Sequence, residues 1–155
     1  MNWENIGMLS SIITIFGFCI TLATAVLLFY QCQLLKSSLR TQSFQNMFNN
    51  IINIDMYFAN NPKMKQYVYG DKMLPEDSES LEYAQAMSAC ELLLDHFEEV
   101  YGCKRIMSSA MWNGWTLYMN KVFQESDTLK HYIAQNKDKY LHVFVAVLEA
   151  EPMGQ

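Results

Sequence analysis

Proline and glycine are scarce in this chain, at 3 and 6 of 155 residues. That excludes collagen-like, linker-rich and wholly disordered architectures. Cysteine is sparse too. Four residues without a CxxC pair make neither a disulfide framework nor a zinc ribbon. Positive charge falls short, with 11 basic against 16 acidic side chains and a net charge of -5. A nucleic-acid footprint would be basic, so no nucleic-acid partner is expected. The largest deficit is local. Residues 1–35 hold one charged side chain, Glu4, whereas residues 36–155 hold 26. The mean hydropathy of -0.03 is therefore an average over two unlike parts.

What fills the uncharged part is apolar. From Ile6 to Tyr30 run 25 residues without charge, 18 of them hydrophobic. A helix that long reaches roughly 37 Å, enough to cross a hydrocarbon core of ~30 Å with some tilt. Trp3 at one end and Phe29-Tyr30 at the other match the aromatic belts of a spanning helix. Ala23-Thr24-Ala25 offers a small-x-small cleavage pattern, the rival reading as a signal peptide. Against it, the first residues carry Glu4 and no Lys or Arg, and the apolar run exceeds a usual h-region of about 7–15 residues. A retained single-pass anchor in the cell membrane is expected. Lys36 and Arg40 on the C-terminal flank place the N-terminus outside and the C-terminal domain in the cytoplasm. Cys32, Cys90 and Cys103 are then expected as thiols, with Cys32 either an acylation site in a eukaryote or an ordinary interfacial residue.

Six small or hydroxylated residues in the anchor, Gly7, Ser10, Thr14, Gly17, Thr21 and Thr24, follow spacings of 3, 4, 3, 4 and 3. Such a stripe lets a second helix approach closely and hydrogen-bond across the contact. It is the candidate transmembrane association surface, toward a second copy or a partner membrane protein. The plainer reading is that hydroxyls bond back to their own helix. No ionisable residue lines the stripe, which disfavours an ion route.

Beyond the anchor the sequence reads as helices. Phe44, Phe48, Ile51 and Phe58, with Met47 and Ile54 beside them, recur at helical spacing. Asn60-Asn61-Pro62 ends that helix and starts a short one closed by Gly70. A third helix is expected from Asp77 or Ser78 to Tyr101, with Tyr83, Met87, Cys90, Leu94, Phe97 and Tyr101 inward. A fourth starts at Ser108 or Ser109 and carries Trp112, Trp115, Met119, Val122 and Phe123. Ser126 or Asp127 caps a fifth with Leu129, Tyr132 and Ile133. Asn136 caps a last helix with Tyr140, Phe144, Val147 and Leu148 inward. The alternation of Val143, Val145 and Val147 would also suit a strand, but no other segment alternates to pair with it. The expected fold is all-α: an N-terminal transmembrane helix, residues 1–35 with its flanks, continuing into a cytoplasmic bundle of about five helices over residues 36–155.

The strongest polar cluster is Glu91, Asp95, His96, Glu98 and Glu99 on the third helix. Glu91, Asp95 and Glu98 share a face at i, i+4 and i+7. A di-metal bundle needs Glu-x-x-His on two helices, and that pattern is missing. A solvated or ion-paired face is the expectation. Were Asp95 buried, it would need Arg105 or a Tyr or Trp donor. His131 and His142 add no ligand spacing, and GxSxG, Ser-x-x-Lys, GxGxxG and GxxxxGK are all missing. No cofactor, metal or catalytic residue is expected. Trp112 and Trp115, at i and i+3, are either an aromatic anchor for a partner or the inward face of their helix. Asp95, His96, Trp112 and Trp115 are thus the candidate interaction or buried polar positions. Lys36, Arg40, Lys63, Lys65 and Lys72 could touch anionic lipid.

Four segments carry a resemblance: Leu39-Arg40-Thr41-Gln42-Ser43-Phe44-Gln45, Ile54-Asp55-Met56-Tyr57-Phe58, the stretch from Asn61 to Tyr69, and Leu93-Leu94-Asp95-His96-Phe97-Glu98. A Trp and the Ser126 to Ile133 segment follow. Over residues 39–140 the chain resembles a class of small, mostly bacterial, membrane-anchored all-helical proteins. It departs from them at Ser126-Asp127, where they often have Ser-Pro, and at Lys65, where they have Arg. The resemblance implies the architecture and transfers no catalytic residue.

The expected function is that of a non-enzymatic interaction, regulatory or scaffold protein. It would associate through its transmembrane helix, with the bilayer and a homo-oligomer or partner membrane protein as its partners. One alternative is a toxin-like or defence effector acting by assembly in the bilayer. A second is a metal-binding enzyme using the acidic cluster of the third helix.

Overall fold

The computed structural model describes the backbone of residues 3–70 and 72–150, and side chains from residue 13 onward. Among the described residues there are six α-helices and no strand. They are α1 (Trp3–Asn60), α2 (Pro62–Tyr69), α3 (Leu81–Gly102), α4 (Ser109–Glu125), α5 (Asp127–Asn136) and α6 (His142–Glu149). The 3-10 turns Cys103–Ile106 and Lys137–Lys139 follow α3 and α5. The chain divides into two compact units, Met1–Gln42 and Ser43–Gln155.

The described part of the first unit is helix only. Every described side chain in it, from Ile13 to Gln42, is exposed. The helical stretch Ile13–Asn60 contains an 18-residue window with a mean hydropathy of 2.2, none of it buried. By length and composition this helix can cross a membrane.

The second unit is built around one apolar core. The last turns of α1 contribute Met47, Ile54 and Phe58, while Phe44 and Tyr57 pack at its edge. Ile51 is half-buried and Phe48 faces outward. The buried row therefore runs through Met47 and Ile54 rather than through Phe48. Asn61 occupies the cap position of α2, but its side chain turns back and Nδ2 donates to the Tyr57 carbonyl at 2.9 Å, closing α1. Pro62 then opens α2, where its missing N–H costs nothing.

Helix α3 starts at Leu81, later than Asp77 or Ser78. Asp77 spends its carboxylate on a local turn, accepting from the Glu79 N–H at 3.0 Å. Ser80 is the cap instead, accepting from the Tyr83 N–H at 3.2 Å. Ala86, Ala89, Cys90, Leu93, Leu94, Phe97 and Val100 are buried along α3. The alanines belong to this face although they add little to a hydrophobic pattern. Tyr83, Met87 and Tyr101 flank it, half-buried. Ser108 and Ser126 cap α4 and α5 by accepting from the Met111 and Leu129 N–H groups at 3.3 and 3.2 Å.

The last helix departs from expectation at its start. Asn136 ends α5, donating from Nδ2 to the Tyr132 carbonyl at 3.0 Å, and α6 begins only at His142. The valine alternation forms no strand: Phe144, Val145 and Leu148 are buried at helical spacing, with Val147 beside them at the margin. Helix α6 packs on α4, α2 and α5 pack on α3, and α5 also packs on α4 and α2, joining the two pairs.

Candidate functional site

The acidic cluster divides by the angle at which each residue leaves α3. Glu91, Asp95 and Glu98 do share a face, and the segment after α5 lies on it. Lys139 Nζ donates to Glu91 Oε1 at 3.3 Å, the Tyr140 hydroxyl to Asp95 Oδ1 at 3.1 Å, and the Leu141 N–H to Glu98 Oε1 at 2.8 Å. Three successive residues thus meet three acids one turn apart. Asp95 is exposed yet takes a tyrosine donor, while Arg105 is exposed elsewhere. Burial, then the nearby Asp95 carboxylate, holds the Tyr140 phenol far above its ordinary range, so it stays a donor. This face is a clamp for the α5–α6 connection.

Glu99 and His96 point another way. Glu99 Oε2 accepts from Asn50 Nδ2 of α1 at 2.7 Å. His96 is 3% exposed, and neither ring nitrogen has a hydrogen-bond partner. Its Nδ1 lies 3.5 Å from Glu99 Oε2, too far for a good bond, and the ring meets Trp115 edge-on at 5.8 Å. Burial dominates and lowers the imidazole's affinity for protons, against the pull of Glu99 and Asp55. A cavity of about 350 Å³ lies beside it, lined by Asn50, Asn53, Ile54, Leu92, Asp95 and Glu99 as well as His96.

Trp112 and Trp115 are half-buried and engaged within the fold. Trp112 meets Tyr101 at 5.9 Å with Lys104 Nζ 4.7 Å from its ring centroid, and Trp115 lies against His96 and Tyr118. In the first half of α1, the Thr21 and Thr24 hydroxyls donate to the Gly17 and Ile20 carbonyls, each at 2.8 Å. These two hydroxyls are therefore satisfied inside their own helix. Gly17 has nothing within 4 Å of the position a Cβ would take, and Thr14 is exposed. Gly7 and Ser10 are helical, but their surroundings lie outside the described residues.

One grouping was not legible in the sequence. Tyr83 OH and His131 Nε2 stand 3.2 Å apart at a cavity of about 560 Å³ whose walls include Leu74, Pro75, Glu125 and Thr128. The two residues are 48 positions apart, and only the packing of α5 on α3 joins them. Cys90 is buried, which pushes its thiol up to about 12 and leaves it unreactive. Among the described residues, no three His, Cys, Asp or Glu side chains converge as metal ligands.

Comparison with known proteins adds no relative: no family model, no curated protein and no solved structure matches the chain.

Proposed function

We propose that this protein is a single-pass membrane-anchored interaction protein whose helical domain, from Ser43 onward, is presented to a protein partner. The observation that carries the reading is the apolar window within Ile13–Asn60, with a mean hydropathy of 2.2 and none of its residues buried. At roughly 25 cal/mol per Å² of apolar surface, a bilayer is the environment that stabilises it. Lys36 and Arg40 on one flank, against Glu4 on the other, orient the N-terminus outward and the domain toward the cytoplasm.

Within the bilayer the helix pairs along Gly7, Ser10, Thr14, Gly17, Thr21 and Thr24. With the Thr21 and Thr24 hydroxyls bonded inside their own helix, close packing at the small positions is the proposed contact. Cysteine crosslinking in membranes tests this, with Cys19 and Cys32 first replaced by Ser. Thr14→Cys and Gly17→Cys are expected to crosslink several-fold more than Ile15→Cys on another face. Equal yields at all three positions would refute pairing through this stripe.

A further inference from the structure

His96 is a buried titratable group that the clamp on α3 does not use. A neutral imidazole carries one donor and one acceptor. Both are buried here without a partner. Its neighbours come from three helices. From α3, Glu99 stands 3.5 Å from Nδ1, and Asp95 borders the adjoining cavity. From α1, the Asp55 carboxylate acts on it through space, and Asn50 and Asn53 line the same cavity. From α4 comes the uncharged ring of Trp115. The one carboxylate oxygen near Nδ1, Glu99 Oε2, already accepts the Asn50 amide at 2.7 Å. That bond ties α1 to α3 across the cavity.

We infer that His96, Glu99 and Asn50 form an acid-released latch between the last turns of α1 and helix α3. Protonation adds a second N–H donor and a full charge to a ring whose two nitrogens are both buried. The charged ring pulls on Glu99 Oε2, the same oxygen that holds Asn50. The buried ring nitrogens reach solvent when α1 and α3 part at the cavity beside them. Burial outweighs the pull of the two carboxylates, so the closed form excludes the proton. The open form takes it up near the ordinary imidazole value of about 6.5. Opening is thus suppressed above that pH and favoured as pH falls below it.

The test is backbone hydrogen exchange over residues 43–60 in the full chain, held in lipid nanodiscs. Rates at pH 7.5, 6.5 and 5.5 are divided by the intrinsic rates. The opening constant is expected to rise by up to about tenfold per pH unit below about 6.5. In His96→Phe it should stay flat. A flat wild type, a wild type whose opening falls in acid, or an equal rise in His96→Phe would each overturn the latch. Should His96→Phe fail to fold, ring NMR of the wild type decides. His96 is expected to stay neutral below the ordinary imidazole value of about 6.5 until segment 43–60 opens. Titration of His96 at that ordinary value, with exchange at 43–60 unchanged, would refute the proposal.

Discussion

Gly70 and Gly114 are the same residue under opposite constraints. At Gly70 the backbone is extended, with φ of -121°, so conformation does not demand glycine. Space does: a Cβ there would lie 2.8 Å from the Gln66 carbonyl oxygen, a backbone atom that cannot swing away. Gly114 lies inside α4, exposed, with nothing within 4 Å of a Cβ. Gly70→Ala should therefore destabilise by about 1–3 kcal/mol through overpacking. Gly114→Ala should stabilise by roughly 0.5–1 kcal/mol, because alanine has less backbone freedom to lose in a helix. Denaturant midpoints of the two variants beside the wild type check both signs. A neutral Gly70→Ala would mean that the end of α2 relaxes freely.

At the scale of elements, Glu82 holds the second unit's α2–α3 corner. Its carboxylate accepts from Lys63 Nζ at 2.6 Å, Lys72 Nζ at 3.0 Å and the Tyr67 hydroxyl. Bonds from Lys63 first, then Tyr67 and Lys72, lower its pKa to about 2. A depressed folded-state value stabilises the fold above the unfolded carboxylate range near 4.3, and that stability is lost as pH falls from there toward 2. Thermal midpoints between pH 6 and pH 2.5 should drop less steeply in Glu82→Gln than in the wild type. Parallel curves would show that the cluster adds nothing. This corner also marks the limit of sequence reading. Helix existence and breaks were legible because Asn60-Asn61-Pro62, Ser108 and Ser126 carry local chemistry that a short window contains. The start of α3 was not, because Asp77 and Ser80 are both good caps and only the Asx turn separates them. The false cap at Asn136 has the same origin. Glu82, Asn50 and the Tyr83–His131 pair were invisible because their partners come from other helices. The acidic face of Glu91, Asp95 and Glu98 was legible as a face, but what lies on it was not.

At the scale of the whole molecule, apolar surface is distributed unequally between the two units. All of the buried hydrophobic side chains among the described residues belong to the second unit, from Met47 to Leu148. The first unit exposes Ile13, Phe16, Phe18, Ile20, Leu27 and Phe29 among others, each more than half accessible. A fragment beginning at Ser43 keeps every core residue, so it should fold without a membrane and show helical circular dichroism with a cooperative melt. The full chain should resist alkaline carbonate extraction, as a spanning helix does, while the fragment stays in the supernatant. Phe48, Ile52 and Met56 remain exposed at four-residue intervals on α1 in that fragment, so its mass in solution should be measured across concentrations. Extraction of the full chain by carbonate would overturn the spanning helix. An unfolded fragment would mean that the domain depends on residues before Ser43, although none of their described side chains is buried.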